Sequence, residues 1–273
     1  MTRRLQQLLL YGTLVLGAAL TLVPLVWMVS ASLMPTGQAT TYPPRFFPRT
    51  LTFEHYAELF TRLSLGRYVL NSCIVALAAT LLSLLFNSMA GYALAKLRFR
   101  GRDGLFRLLV AGLVIPAQVT MLPLFLLLRA MGLVNSYLGA IVPAMATIFG
   151  IFLIRQYALS IPDDLLDAAR IDGAGEFRIY WSVVVPAMRP VLATLAIFTF
   201  LSTWNDFLWP LVVLSDDAKY TLPVALANLA GEHVQDTELM MAGSVLTVLP
   251  VLLLFVLLQR YYIEGIMAGS TKG

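Results

Sequence analysis

The side chains of this sequence that could do chemistry fall in two places. Trp204, Asn205 and Asp206 stand together inside an apolar run, where an ionisable group costs several kcal/mol unless it faces protein or water. An indole offers a flat apolar face, and the amide and carboxylate offer hydrogen bonds of the kind a hydroxyl-bearing solute takes. Three readings stay open for them: the trio lines a pathway, Asp206 bonds a neighbouring span or subunit, or Asp206 lies near a membrane interface. The second place is the charge-dense island from Ile161 to Pro190, set between long apolar runs. Within it Asp167 and Asp172 offer fixed charge around Ala168 and Ala169, whose methyl side chains let another surface approach the backbone. That spacing reads as a docking knob, with a solvated amphipathic linker as the alternative.

Other chemistry finds little footing. Cys73 is the single cysteine and cannot form an intrachain disulfide; a small apolar side chain in a span accounts for it. His55 and His233 are far apart in sequence, so no helix-turn pair of metal ligands is visible. Neither Gly-x-x-x-x-Gly-Lys-Ser/Thr nor Gly-x-Gly-x-x-Gly occurs, so the chain carries no recognisable nucleotide cradle. No nucleophile and base stand together as an intramembrane enzyme would need.

The elements that position these residues follow from composition. A chain that is 59% hydrophobic and 12% charged, with mean hydropathy +0.80, lies outside the range of ordinary soluble domains. Apolar segments of about 20 residues run from Leu8 to Leu33, Val69 to Ala95, Leu105 to Leu128, Leu138 to Ile154, Val191 to Leu214 and Leu239 to Leu258. The expected fold is therefore an all-α membrane protein of about six transmembrane helices, in one domain over residues 1–273. Continuous apolarity without strand-length alternation excludes a barrel. The fourth segment is the shortest, which puts Tyr137 and Arg155 at its two interfaces. Of the other polar groups in spans, Asn71, Asn87, Gln118 and Thr120 are expected to serve mainly as interhelical hydrogen bonds.

Basic residues set the orientation, because short positive loops stay in the cytoplasm. With the N-terminus inside, Arg3, Arg4, Lys96, Arg98, Arg100, Arg102, Arg107, Arg155, Arg170, Arg178, Arg189, Arg260 and Lys272 lie on the cytoplasmic side. Arg45, Arg49, Arg62, Arg67, Arg129 and Lys219 lie outside. The net charge of +4 then reflects membrane topology, and no basic stripe interleaved with aromatics points to nucleic acid. The apolar run after Arg3 and Arg4 exceeds the h-region of a signal peptide, so it is expected to stay as a span.

Local patterns refine the loops. Ser160 and Asp163 have capping-box spacing, which predicts a helix from near Ile161, and the acids Asp163 and Asp164 suit its dipole. Gly173 stands where a left-handed residue would end that helix after about three turns. Between the first two spans, Phe53, Tyr56, Ala57 and Phe60 recur at helical spacing, which predicts a short surface helix over Phe53 to Leu63. Ser215 to Glu238 is an acidic segment facing outward, with Gly231 allowing a sharp reversal at its tip. Its Glu232, His233 and Gln235 are expected to face a partner, with a solvated connector as the alternative.

The island's order, Asp167-Ala168-Ala169, then Asp172-Gly173-Ala174, then Pro186, resembles the coupling motif of the permease subunits of binding-protein-dependent ABC importers. One position departs: Asp167 stands where that family usually has Glu. Thr203 to Pro210, Tyr220-Thr221-Leu222-Pro223, and the ending Gln259-Arg260-Tyr261-Tyr262 with Glu264-Gly265 and Lys272-Gly273 resemble more narrowly the smaller permease of maltose-type sugar importers. The resemblance implies the type I importer fold, with residues 161–190 docking on a cytoplasmic ATPase. It further implies a second related permease, two ABC ATPase subunits and an extracytoplasmic solute-binding protein. ATP and Mg would be bound by the ATPases, leaving this chain without a cofactor, in a cell membrane with both termini cytoplasmic. The implied cargo is a sugar or oligosaccharide; a non-sugar solute such as a glycerol phosphate is the alternative. A secondary transporter is more remote, since one acid in the spans and one large cytoplasmic island do not make an ion relay.

Overall fold

The structure is a computed structural model that describes the backbone of residues 3–43, 45–232 and 236–270, and the side chains of 4–43, 45–229, 231 and 236–257. In lipid the backbone must satisfy its own hydrogen bonds, and every regular element among the described residues is helical. In chain order the first are α1 (Arg3–Ala31), α2 (Glu54–Thr61), α3 (Leu65–Lys96), α4 (Arg102–Ala111) and α5 (Ala117–Ala130). Next come α6 (Tyr137–Ile141), α7 (Ile148–Ala158), α8 (Asp163–Ile171), α9 (Glu176–Ile179) and α10 (Val185–Ala187). The chain continues through α11 (Arg189–Trp204), α12 (Leu208–Val213), α13 (Leu222–Glu232) and α14 (Thr237–Ser270).

By length and composition, α1, α3 and the Thr237–Leu257 part of α14 are long and apolar enough to cross a membrane as single helices. Three bent helix pairs pass the same test together, and counting each pair as one span brings the number to six. The sequence reading draws the third and fourth spans as single apolar runs and begins the fifth only at Val191, after the third of these breaks; local chemistry explains each break. Arg102–Val114 meets Ala117–Ala130 at 109°, where Pro116 takes φ −60°, ψ 135° and pushes Ile115 into extended backbone. Tyr137–Ala144 meets Ile148–Ala158 at 40°, because the Thr147 hydroxyl accepts from the Gly150 N–H at 3.0 Å and starts a new helix. Glu176–Ala187 meets Arg189–Trp204 at 80°, with Pro190 just inside the new helix. Between α9 and α10, Tyr180–Val184 forms a π turn in which the Val185 N–H reaches back to the Tyr180 carbonyl.

The chain forms two compact units. One comprises α1, the segment after it, α2 and Ala225–Pro250. Leu8, Leu14, Leu16 and Leu20 of α1 are exposed, as a helix bathed in lipid requires. In the same unit the predicted surface helix forms as α2, and it turns His55 inward: the buried ring's Nε2–H donates to the Met34 carbonyl at 2.9 Å. The other unit runs from Arg67 to Val224 and resumes at Val251. Its largest core gathers Tyr92, Ala95, Ile154, Ile161, Leu166, Ile179, Tyr180 and Leu195, drawn from α3, α7, α8 and the arm that follows. Gly91 of α3 lies hard against α7, where an added Cβ would sit 2.5 Å from Ile154 Cγ2.

Candidate functional site

Two features of α8 are set by short-range chemistry. Its start is at Asp163, with Pro162 as the N-terminal flanking residue and no side-chain cap. The capping box expected from Ser160 does not form, because that hydroxyl donates to the Tyr157 carbonyl at 2.7 Å. Pro162 needs no amide partner there. The helix is accordingly shorter than expected, nine residues or about two and a half turns. Its end follows the sequence reading: Gly173 has φ +82°. The Ala174 N–H bonds the Ala169 carbonyl at 3.0 Å and the Gly173 N–H bonds the Arg170 carbonyl at 3.0 Å, the paired closure of a Schellman cap.

Packing decides which side of α8 is open. Leu166 is 1% exposed and Ala169 and Ala174 pack against the same core. Asp164, Leu165, Asp167, Ala168, Ile171 and Asp172 are exposed. Of the two alanines expected to face another surface, Ala168 is exposed, whereas Ala169 packs on this chain's own core. The next arm adds exposed Phe177 and Trp181, which stack edge to face at 6.2 Å.

Charge holds α8 at both ends. The Lys96 ammonium donates to the Ile161 carbonyl at 2.6 Å and to Asp163 Oδ1 at 2.7 Å. The cation beside it holds the Asp163 carboxyl below the usual carboxylate range. At the other end Arg170 meets Glu176 at 2.8 Å and Asp167 at 2.6 Å. Those two carboxylates, Glu176 foremost, push the guanidinium further toward its charged form. The Tyr92 hydroxyl donates to Glu176 at 3.1 Å. Sequence reasoning used Lys96 only as a topological charge and missed Tyr92 and Glu176. The i, i+4 spacing of Tyr92 and Lys96 was a visible sign of a shared face.

The second candidate region is a break between α11 and α12 at residues 205–207. Pro210 does not cause this break: it sits in the first turn of α12, where its missing N–H is harmless. Asp206 caps that turn, Oδ1 accepting from the Trp209 N–H at 3.3 Å. Asn205 is exposed and its amide returns to the Leu201 carbonyl at 2.8 Å. Trp204 is 1% exposed and stacks on Phe200 at 5.7 Å, so within this chain its ring offers no open face. Asn71 and Asn87 do bridge segments, to Ala218, Tyr220 and Thr147. Among the described residues Thr120 bonds within its own helix, to the Ala117 carbonyl.

Ser215 to Glu238, expected as a long loop, contains α13, whose Leu222, Val224, Ala225 and Leu229 are buried. Gly231 lies inside that helix and makes no reversal. Glu232 ends α13 with its side chain outside the described residues, and His233 and Gln235 lie wholly outside them.

Comparisons with known proteins meet this geometry over most of the chain. The family described as "binding-protein-dependent transport system inner membrane component" matches residues 87–266, which include α8 and the break after α11. The arabinooligosaccharides transport system permease protein AraQ of Halalkalibacterium halodurans is 44% identical over 229 residues, 84% of this chain and 82% of that protein. The lactose transport system permease protein LacG of Rhizobium radiobacter is 34% identical over 270 residues, 99% of this chain and 98% of that one. A chain in the crystal structure of a bacterial ABC transporter involved in the import of the acidic polysaccharide alginate superposes with TM-score 0.84 at 26% identity. That match covers 96% of this chain and 99% of the other.

Proposed function

The chain belongs to the inner membrane components of binding-protein-dependent transport systems, and from that premise we propose that it is the permease subunit of an ATP-driven importer of a sugar or oligosaccharide. It is a multi-pass protein of the cell membrane, with both termini cytoplasmic on the distribution of its basic residues. It acts as one permease domain, forming half of the pathway beside a second, related permease. Two ABC ATPase subunits bind ATP and Mg and hydrolyse the nucleotide; this chain supplies no covalent chemistry and holds no cofactor of its own.

The observation that carries this reading is the open face of α8. Leu165, Ala168 and Ile171 give an apolar contact with small relief, Asp167 and Asp172 give charge to either side, and the Schellman cap at Gly173 aims the helix. Such a helix seats in a cleft of an ATPase, and ATP-driven closure of the ATPase pair draws it inward, turning the spans outward-open; hydrolysis resets them. Asn205 and Asp206, at the helix break, serve the pathway, where unpaired backbone and polar side chains are tolerated because they line water or solute. Trp204 contributes by fixing the break from behind. Glu232, His233 and Gln235 reach the solute-binding protein.

The sugars carried by the relatives named above support the cargo class. The test is uptake into vesicles holding this chain with its permease, ATPase and binding-protein partners. Labelled di- and oligosaccharides are offered beside glycerol 3-phosphate, with ATP present or with ATP depleted and ion gradients kept. Sugar uptake that stops on ATP depletion is expected. Uptake sustained by a gradient alone, or confined to glycerol phosphate, overturns the reading. Crosslinkers at Glu232 and Gln235 are expected to capture the binding protein in the outward-open state.

A further inference from the structure

The geometry points to α3 as the rod that carries a displacement of α8 across the membrane to the segment between α12 and α13, with Lys96 and Tyr92 gripping one end and Asn71 and Ser72 the other. This inference rests on the reading of α8 as the ATPase-coupling helix. At the near end both termini of α8 are tied to one face of α3. Lys96, whose side chain is 7% exposed, holds the turn into α8 through the Ile161 carbonyl and Asp163. One helical turn earlier, Tyr92 holds Glu176, which in turn holds Arg170 in the last turn of α8. Leu166 of α8 is buried in the same core as Tyr92 and Ala95 of α3. A movement of α8 therefore cannot leave the end of α3 behind without breaking the half-buried bonds at the Ile161 carbonyl and Glu176, which is costly for partners held partly out of water, together with the two exposed ion pairs at Asp163 and Arg170.

The far end of α3 is tied just as specifically. Asn71, 3% exposed, donates to the Ala218 carbonyl at 2.9 Å and the Tyr220 carbonyl at 2.9 Å, and accepts from the Tyr137 hydroxyl at 2.7 Å. The adjacent Ser72 hydroxyl accepts from the Leu222 N–H at 2.7 Å. Residues 218–222 are thereby pinned to α3 by their backbone, whatever their side chains. Between the two ends α3 runs unbroken and without proline, and the separation of Asn71 and Lys96 is about 37 Å at 1.5 Å per residue. The other spans that lie wholly in this unit are bent pairs, and a bend at a proline or a cap absorbs movement that a continuous helix passes on. The pinned segment directly follows α12, so a shift there bears on the helix break at Asn205 and Asp206.

The test is a double-mutant cycle in the assembled transporter, with its ATPases and partner permease, reading solute transported per ATP hydrolysed at equal amounts of complex. Sites this far apart ordinarily act independently, so their effects multiply. On one rod they do not: Lys96→Met and Asn71→Leu are each expected to lower the ratio about tenfold, and the double variant also about tenfold instead of about a hundredfold. Lys96→Arg should recover most of the loss, since it keeps a donor for Ile161 and a charge for Asp163. A hundredfold loss in the double variant, or a single variant with an unchanged ratio, overturns the rod. Should either variant fail to assemble, Lys96→Gln and Asn71→Ser replace them and are read the same way. If the unaltered chain itself shows no coupling of ATP hydrolysis to uptake, the importer reading falls; if it couples and the losses multiply, the rod alone falls.

Discussion

Gly173 shows how much a single backbone angle can decide. Its φ of +82° closes α8, and no atom lies within 4 Å of where a Cβ would stand, so a substitution there meets no clash and costs only backbone strain. Gly173→Val is expected to cost about 1 to 2 kcal/mol locally and to misaim α8. ATPase activity should continue while uptake per ATP falls. Gly173→Asn should be much milder, because asparagine tolerates the left-handed region. Normal stimulated ATPase activity together with normal uptake in the valine variant, at equal membrane abundance, would remove α8 from the coupling path. Asp206 makes a second case. It caps α12, and Asp206→Asn keeps an acceptor for the Trp209 N–H. That variant should assemble but transport poorly, whereas Asp206→Leu loses the cap, about 1 kcal/mol, and should lower the amount of assembled complex. If both variants transport with unaltered rate and affinity, the carboxylate serves neither purpose.

At the scale of the element, α8 has two sides that should respond differently. Leu166→Ala removes a fully buried side chain, a change that costs about 2 to 5 kcal/mol in well-packed cores, and should lower the thermal stability of the purified chain. Leu165→Ala, on the exposed side, should leave the melting temperature unchanged and weaken capture of the ATPase subunits. Equal loss of stability from both would mean that α8 has no free face. The tie from Lys96 also predicts a pH response. A carboxyl held below its unfolded value of about 3.9 contributes at every pH above that value and loses its contribution only as pH falls through the lower, folded one. Replacing Asp163 with Asn should therefore change coupling equally from about pH 5 to about pH 8. A difference between this variant and the unaltered chain that varied across that range would point to another titrating group.

For the whole molecule, the placement of basic residues makes a topological prediction. In a Cys73→Ser background, a cysteine at Asp164 should react with a membrane-impermeant thiol reagent only from the cytoplasmic face. One at Tyr42, which is 96% exposed, should react only from the outside. Reversed labelling would place α8 away from any cytoplasmic ATPase and end the coupling argument. The six spans that underlie this prediction were legible at sequence level because spanning length is a local property: about 20 apolar residues suffice, whatever their neighbours. The same applies to the stop at Gly173, where only the residue's own missing Cβ matters, and to α2, whose apolar spacing lies within one segment.

The sequence by itself therefore determined the membrane class, the number of the spans, the rough limits of all but the fifth, and the charge-dense island after the fourth. Only the tertiary structure decided which side of that island faces out. Ala168 and Ala169 are chemically alike and adjacent, and the core under α8 alone separates them. It also decided that Trp204 is enclosed and that His55 is a buried donor to Met34. Ser215 to Glu238 shows the same dependence, since α13 becomes worth forming only when Leu222, Val224, Ala225 and Leu229 have a surface to bury against. The ties of α3 were hidden for a further reason. Lys96 meets Asp163 across 67 positions and Asn71 meets Tyr220 across 149. A hydrogen bond depends on partners meeting within about 3 Å, and for residues that far apart in the chain only the fold creates that meeting.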